Sequence, residues 1–123
     1  KFNKETGTNS GTYVHNQTFI EKVEQIVEKN LQNPSFEITE LASQIGVSRS
    51  SLQRKIKKTV NMSPSEFIRE IRLKKAVGLL KNDEYNIDEI AIIVGFNSTS
   101  YFIRSFKKKY EMTPTAFKQT KEK

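Results

Sequence analysis

The sequence contains no cysteine, which excludes disulfide frameworks, thiolate zinc sites and cysteine nucleophiles. Its single histidine, His15, lies near the start, and no glycine-rich loop of the kind that cradles phosphate is present. The paired acids Asp83-Glu84 and Asp88-Glu89 are adjacent, and adjacent residues do not share a helix face. The inventory of an active site is missing, so no enzymatic activity, no cofactor and no metal are expected. No apolar run approaches the length of a membrane-spanning helix, and the start lacks the charged, apolar and small-residue regions of a signal peptide. The expectation is a soluble, cytoplasmic chain. No segment alternates with the period of two that marks a strand, and no heptad seam is sustained. What remains is helix, and the fold class expected is all-α with about seven helices.

The 123 residues, 35% of them hydrophobic, suffice for one compact domain with a modest core. Lys and Arg number 21 against 14 acids, a net charge of +7 and a pI near 9.6. Such a balance makes a polyanion the first partner to consider, either nucleic acid or an anionic membrane surface.

Residues 1 to 17, KFNKETGTNSGTYVHNQ, are polar, carry two glycines and show no periodicity, as in a flexible lead-in or a linker from an upstream module. From Thr18, a plausible cap, the apolar residues Phe19, Ile20, Val23, Ile26, Val27 and Leu31 recur at helical spacing. Beyond them the chain repeats itself. ITELASQIGVS from Ile38 corresponds to IDEIAIIVGFN from Ile87, which pairs Glu40 with Glu89, Ala42 with Ala91 and Gly46 with Gly95. Past the glycine the second copy gains one residue, and Leu52 then aligns with Phe102, Arg54 with Arg104, Ile56 with Phe106, Lys57 with Lys107, Pro64 with Pro114 and Phe67 with Phe117.

Each copy reads as a short helix, a turn at glycine, a second helix, and a new helix opened by Ser63-Pro64 or Thr113-Pro114, proline being well placed at the first helical position. Ser63 and Glu66 have capping-box spacing, so a helix starts there and bridges the copies. The expected layout is a domain over 18–120, with a first helix-turn-helix at about 38–60, a linker helix at about 64–81 and a second helix-turn-helix at about 87–110. A helix-turn-helix lays its second helix in the major groove of DNA. In the first copy Ala42 allows the helices to cross closely, Gly46 accepts a left-handed turn, and Val47, Leu52 and Ile56 fill the space beneath.

Charge follows the same division. SRSSLQRKIKK, residues 48 to 58, carries Arg49, Arg54, Lys55, Lys57 and Lys58 and no acid. Residues 97 to 110 carry Arg104, Lys107, Lys108 and Lys109, again without an acid. The acids Glu37, Glu40, Asp83, Glu84, Asp88 and Glu89 sit on the preceding helices and their entries, where they favour the helix dipole. With Leu52 and Ile56 turned inward, Ser50, Gln53, Arg54 and Lys57 form an outward stripe. Arg can hold guanine O6 and N7 and Gln adenine N6 and N7, whereas Lys and Ser more often hold phosphate. The second stripe is Ser100, Ile103, Arg104 and Lys107, joined by Thr99 at the helix start; it has fewer base-reading residues. Arg49 and Ser98 complete the candidate DNA-binding set. Bases at helical spacing are commonly no more than a solvated face, but their segregation and repetition argue against that here. For Lys55, Lys58, Lys108 and Lys109 singly, solubility explains as much as phosphate binding. Met62, Met112, Phe67, Phe117 and Tyr110 are most simply core. The competing reading is a basic helical interaction or membrane-surface module that reads no bases; such helices pair their basic face with exposed apolar residues, whereas here the apolar residues fit a shared core.

The stretches ITELASQIGVSRSSLQRKIKK, SPSEFIREIRLKKAVGLL and IDEIAIIVGFNSTSYFIRSFKKKYEMTPTAF resemble the DNA-binding domain of the AraC/XylS family of bacterial transcription regulators over roughly residues 18 to 119. The resemblance implies two helix-turn-helix units, joined by a long helix, that lay their recognition helices in successive major-groove segments. It implies Ser50, Gln53 and Arg54 as base-facing in the first unit and Thr99, Ser100 and Arg104 in the second. Ile103 departs from the small hydroxyl residue that the family often has there. SRSSLQRKIK with FIREIRLKKA is also similar to versions at the C-terminus of hybrid two-component sensor regulators, and the start at Lys1 fits a cut from such a chain. Double-stranded DNA is the expected partner, with RNA polymerase as a further candidate and no membrane; nucleoid association follows from DNA binding. The chain by itself is expected to be a monomer and the longer protein a dimer through an upstream module.

Overall fold

A computed structural model describes residues 11–120, with side chains from residue 18 onward. Seven helices follow in chain order: α1 (Gly11–Lys29), α2 (Ile38–Ile45), α3 (Arg49–Val60), α4 (Pro64–Leu80), α5 (Ile87–Ile93), α6 (Thr99–Tyr110) and α7 (Pro114–Thr120). No strand occurs among the described residues. The first helix begins at Gly11, so Thr18 lies inside it and is not its cap. Once a helix is nucleated each added residue gains one backbone bond, and no proline stands in the way between residues 11 and 18. The remainder of the expected lead-in, residues 1–10, lies outside the described residues.

Local chemistry sets the other boundaries. α2, α4 and α5 each open with a reciprocal capping box, Glu37 with Glu40, Ser63 with Glu66 and Asn86 with Glu89, which satisfies backbone N–H groups that a helix start otherwise leaves without partners. Pro64 stands at the first position of α4 and Pro114 at that of α7, where no N–H is needed. The repeat extends to the backbone. Gly46 and Gly95 both take the left-handed conformation at the turns after α2 and α5, and Asn61 and Glu111 take it after α3 and α6.

α1 packs on α2, α3 and α4; α4 packs on α3, α5 and α7; α5 and α7 both pack on α6. Each helix-turn-helix therefore has its own bracing helix, and α4 belongs to both units. A single core runs through them, from Val23 and Val27 through Leu41, Leu52 and Ile56 to Ile71, Ala76 and Leu80, and on to Ile90, Phe102 and Phe106. The inward pair of α3 is aliphatic, Leu52 and Ile56. That of α6 is aromatic, Phe102 lying 5.3 Å from Phe96 and 5.9 Å from Phe106 between centroids. Val47, expected beneath the first turn, is instead 41% exposed. Its equivalent Phe96 is buried because its ring reaches Phe102 and Tyr101; a valine has no such reach.

Arg72 of α4 is the one charged side chain buried among the described residues, at 5% exposure. Its Nη1 donates to the carbonyls of Leu31 and Val94, the latter at 2.8 Å, and its Nη2 donates to the carbonyl of Asn33 at 3.1 Å. Leu31 and Asn33 follow α1, and Val94 ends α5, so one guanidinium fastens the first unit to the second through α4. Burial pulls its pKa down from the usual guanidinium value, and the carbonyl acceptors offset that cost because hydrogen bonds from a charged donor are strong. Gly95 completes the arrangement: a Cβ there would overlap the Arg72 guanidinium and the Leu31 carbonyl, whereas a Cβ on Gly46 would meet nothing within 4 Å. Both glycines to alanine should lose about 1–2 kcal/mol for the left-handed backbone. Gly95→Ala should lose a further 1–3 kcal/mol or more as carbonyls forfeit their donor. Urea denaturation of the two variants measures the difference, and equal losses would show that the guanidinium tolerates the methyl.

Candidate nucleic-acid interface

α3 is held at its start by Ser48, whose Oγ accepts the Ser51 N–H at 3.1 Å. With Leu52 and Ile56 buried, Arg49, Ser50, Gln53, Arg54 and Lys57 are all exposed. Gln53, Arg54 and Lys57 make one wall of a shallow groove whose other wall is the start of α4, with Ser63, Pro64 and Glu66. Arg54 makes one long bond along its own helix, Nη2 to Ser51 Oγ at 3.4 Å. Lys55 is set apart: its ammonium lies 4.9 Å from the centre of the Phe19 ring on α1, which makes it a brace between α1 and α3.

In α6 the cap is Ser98, whose Oγ accepts the Tyr101 N–H at 3.1 Å while its hydroxyl proton stays available. Ser100, Arg104 and Lys107 are exposed. Thr99 is half-buried and its Oγ1 donates to the Asp88 carboxylate at 2.7 Å, so its donor is engaged by the preceding helix. Ile103 is also half-buried and packs against the core, which removes it from the outer row expected of it. On α6 the exposed row is therefore reduced to Ser100, Arg104 and Lys107. Arg104 lies 5.9 Å from the centre of the Tyr101 ring. Lys109 pairs with Glu70 of α4, and the hydrogen bond to that carboxylate raises the lysine pKa, so Lys109 ties α6 to the linker helix.

A second groove separates α4 from α6, with Glu66, Arg69 and Glu70 on one side and Arg104 and Lys108 on the other. Glu66 borders both grooves, so the exposed row of α3 and Arg104 of α6 flank adjoining grooves that meet at the start of α4, whereas Ser100 and Lys107 line neither groove. Arg69 and Tyr101 line the second groove and were not among the expected residues. Counting charge on the second helix of each copy passes over the bases on the helix between them, of which Arg69 lines the groove. Among the described residues no group of His, Cys, Asp and Glu could hold a metal ion, and no helix is long and apolar enough to cross a membrane.

A family model described as a helix-turn-helix domain matches residues 41–120. A Formosa agariphila protein named Histidine kinase P4 is 42% identical over 101 residues, 82% of this chain and 7% of that protein. Among solved structures, the C-terminal domain of AraT, a response regulator from Geobacillus stearothermophilus, superposes with a TM-score of 0.74 at 30% identity, covering 82% of this chain and 84% of that one. A transcriptional regulator from Chromobacterium violaceum, described among AraC-type DNA-binding domain-containing proteins, superposes with a TM-score of 0.79 at 25% identity over 88% of this chain and 96% of that one. The chain spans 7% of the length of that Formosa agariphila protein and 37% of the Msm operon regulatory protein of Streptococcus mutans.

The two caps and the two exposed rows separate stability from surface. Ser48→Ala and Ser98→Ala should each lose about 1 kcal/mol of unfolding free energy, the usual worth of an N-cap. Ser50→Ala and Ser100→Ala, on the exposed rows, should stay within about 0.5 kcal/mol of the parent. Chemical denaturation of the four variants checks the contrast.

Proposed function

The chain belongs to the AraC-type helix-turn-helix family, and from that premise we propose that it binds double-stranded DNA sequence-specifically, as the output domain of a transcription regulator, with α3 and α6 in successive segments of the major groove. The observation that carries this is the duplicated unit: two capped helices, each basic and each with its apolar side buried, flank adjoining grooves in a molecule whose units are fastened together. In α3, Gln53 and Arg54 read base edges with Ser50 facing the bases beside them, and Lys57 and Arg49 hold phosphate. In α6, Arg104 is the base-reading residue with Ser100 facing the bases beside it, and Ser98 and Lys107 position the backbone; Thr99, engaged by Asp88, offers only acceptor capacity. Burial of Leu52, Ile56, Phe102 and Phe106 leaves the basic faces without the apolar partners that a lipid-binding helix needs, which favours DNA over a membrane surface.

The likeness to a protein named a histidine kinase and to the C-terminal domain of a response regulator supports placing this domain at the output end of a longer two-component protein. In that reading sensing and dimerisation reside in a separate module, the domain itself has no catalytic step, and the site of action is the cytoplasmic nucleoid. RNA polymerase is a proposed partner of the assembled regulator.

Selection of bound duplexes from a random pool, followed by footprinting, tests the proposal. Two protected segments about 10 base pairs apart on one face of the duplex are expected; a single short footprint would make the second unit structural. Gln53→Ala and Arg54→Ala should each cost roughly 1–3 kcal/mol for the preferred base in one segment and relax its preference. Lys57→Ala should weaken all sequences alike and flatten the log-log salt dependence by about one. The large exposed apolar residues among those described, Val47, Ile92 and Tyr101, stand on different elements and form no seam. Sedimentation at micromolar concentration should accordingly find a monomer, and a stable dimer would contradict this.

A further inference from the structure

Glu66, Arg69, Glu70 and Leu73 recur at helical spacing along α4 and form one side of the groove between the two exposed rows. A rod laid across both rows passes over this strip of the linker helix, because Glu66 borders the groove on either side. Two acids on that strip oppose a phosphate, yet each is engaged locally. Glu70 pairs with Lys109. Glu66 accepts the Ser63 N–H at 2.9 Å, and that bond holds its carboxyl below the usual carboxylate range. Arg69 is the remaining charged group on the strip. Its Nη1 donates to Tyr101 Oη at 3.4 Å, a long bond that engages one of five guanidinium donors. Arg104 approaches the same tyrosine through its ring, so Tyr101 stands between two guanidinium groups and fixes both at the rim of the groove.

Resting on the DNA-binding reading, we infer that Arg69 is a phosphate-binding residue of the linker helix, one that grips the DNA backbone where the duplex passes between the two major-groove segments. Between two such segments on one face the minor groove turns toward the protein and brings phosphates of both strands close to α4. Arg69 meets them from α4, and Lys108 stands opposite on α6. The contact carries no sequence information. It sets the register of one segment against the other, which neither recognition helix can do alone.

The test is equilibrium binding of the parent chain, Arg69→Gln, Arg69→Lys and Tyr101→Phe to a duplex selected by the parent, over a salt series. The same duplex is then used with a neutral methylphosphonate at each position between the two protected segments. Arg69→Gln should weaken all sequences about tenfold and lower the salt slope by about one, and Arg69→Lys should keep the slope. A methylphosphonate at one or two central positions should weaken the parent and leave Arg69→Gln unaffected. Unchanged affinity and slope in Arg69→Gln, or an equal methylphosphonate penalty in both proteins, overturns the inference while the DNA-binding reading stands. Tyr101→Phe that reproduces the full loss of slope overturns it as well, since Arg69 would then act only by holding α6. A parent chain that binds no duplex overturns the DNA-binding reading itself. Should Arg69→Gln fail to fold, the methylphosphonate penalties of the parent and Arg69→Lys still decide, and their absence from the central positions refutes the contact.

Discussion

One guanidinium decides how the two halves of this domain sit together. Arg72 is buried without a carboxylate partner and bonds instead to three backbone carbonyls, from Leu31 and Asn33 beyond α1 and from Val94 at the end of α5. A planar group with five donors in fixed directions suits such a task, since it reaches several acceptors at once and leaves none of them to be desolvated without a partner. Because it extends from α4, which already packs on both units, its bonds remove the freedom that a linker helix would otherwise leave between them. The positions of α3 and α6 relative to one another follow from this fastening. So does the identity of residue 95: the guanidinium and the Leu31 carbonyl occupy the space of a side chain, and the backbone there takes a positive φ of 87°.

Around that fastening the molecule uses the same device twice and varies its filling. The caps, the left-handed turns after α2 and α5 and those after α3 and α6 recur at equivalent places. α3 turns Leu52 and Ile56 inward where α6 turns Phe102 and Phe106, and the substitution has consequences on the surface. Phe96 is drawn in where Val47 is left out, and Tyr101 is held at the groove by Phe96 on one side and by Arg69 and Arg104 on the other. The second face thereby becomes more strongly tied to α4, through Tyr101 and through the Lys109 pair with Glu70. The first face keeps more of its polar side chains free for a ligand. Two copies of one motif thus present unequal polar faces because their inward residues differ.

Much of this was legible in the amino-acid order. Periodicity and glycine spacing identify the helices from α2 onward, and capping residues place the start of α4, because each of these signals acts within four residues of chain. The exposure of Ser50, Gln53, Arg54 and Lys57 follows from the burial of Leu52 and Ile56 on the same helix. Two expectations gave way to contacts between elements: Ile103 is taken up by the core, and Val47 is left without a ring to meet.

The sequence by itself determined the class of fold, the duplication, the segregation of positive charge onto two helices and the residues that α3 turns outward. These are consequences of helical periodicity and local hydrogen bonding, which act on near neighbours. Only the tertiary structure decided that a buried arginine fastens the two units, that Gly95 is required by a side chain 23 positions earlier as well as by its own turn, and that Arg69 stands in the groove between the exposed rows. Those outcomes depend on which helices cross, and at what separation. Residues 22 to 41 positions apart meet at the Arg72 guanidinium, and no local pattern in the chain encodes a meeting at that range.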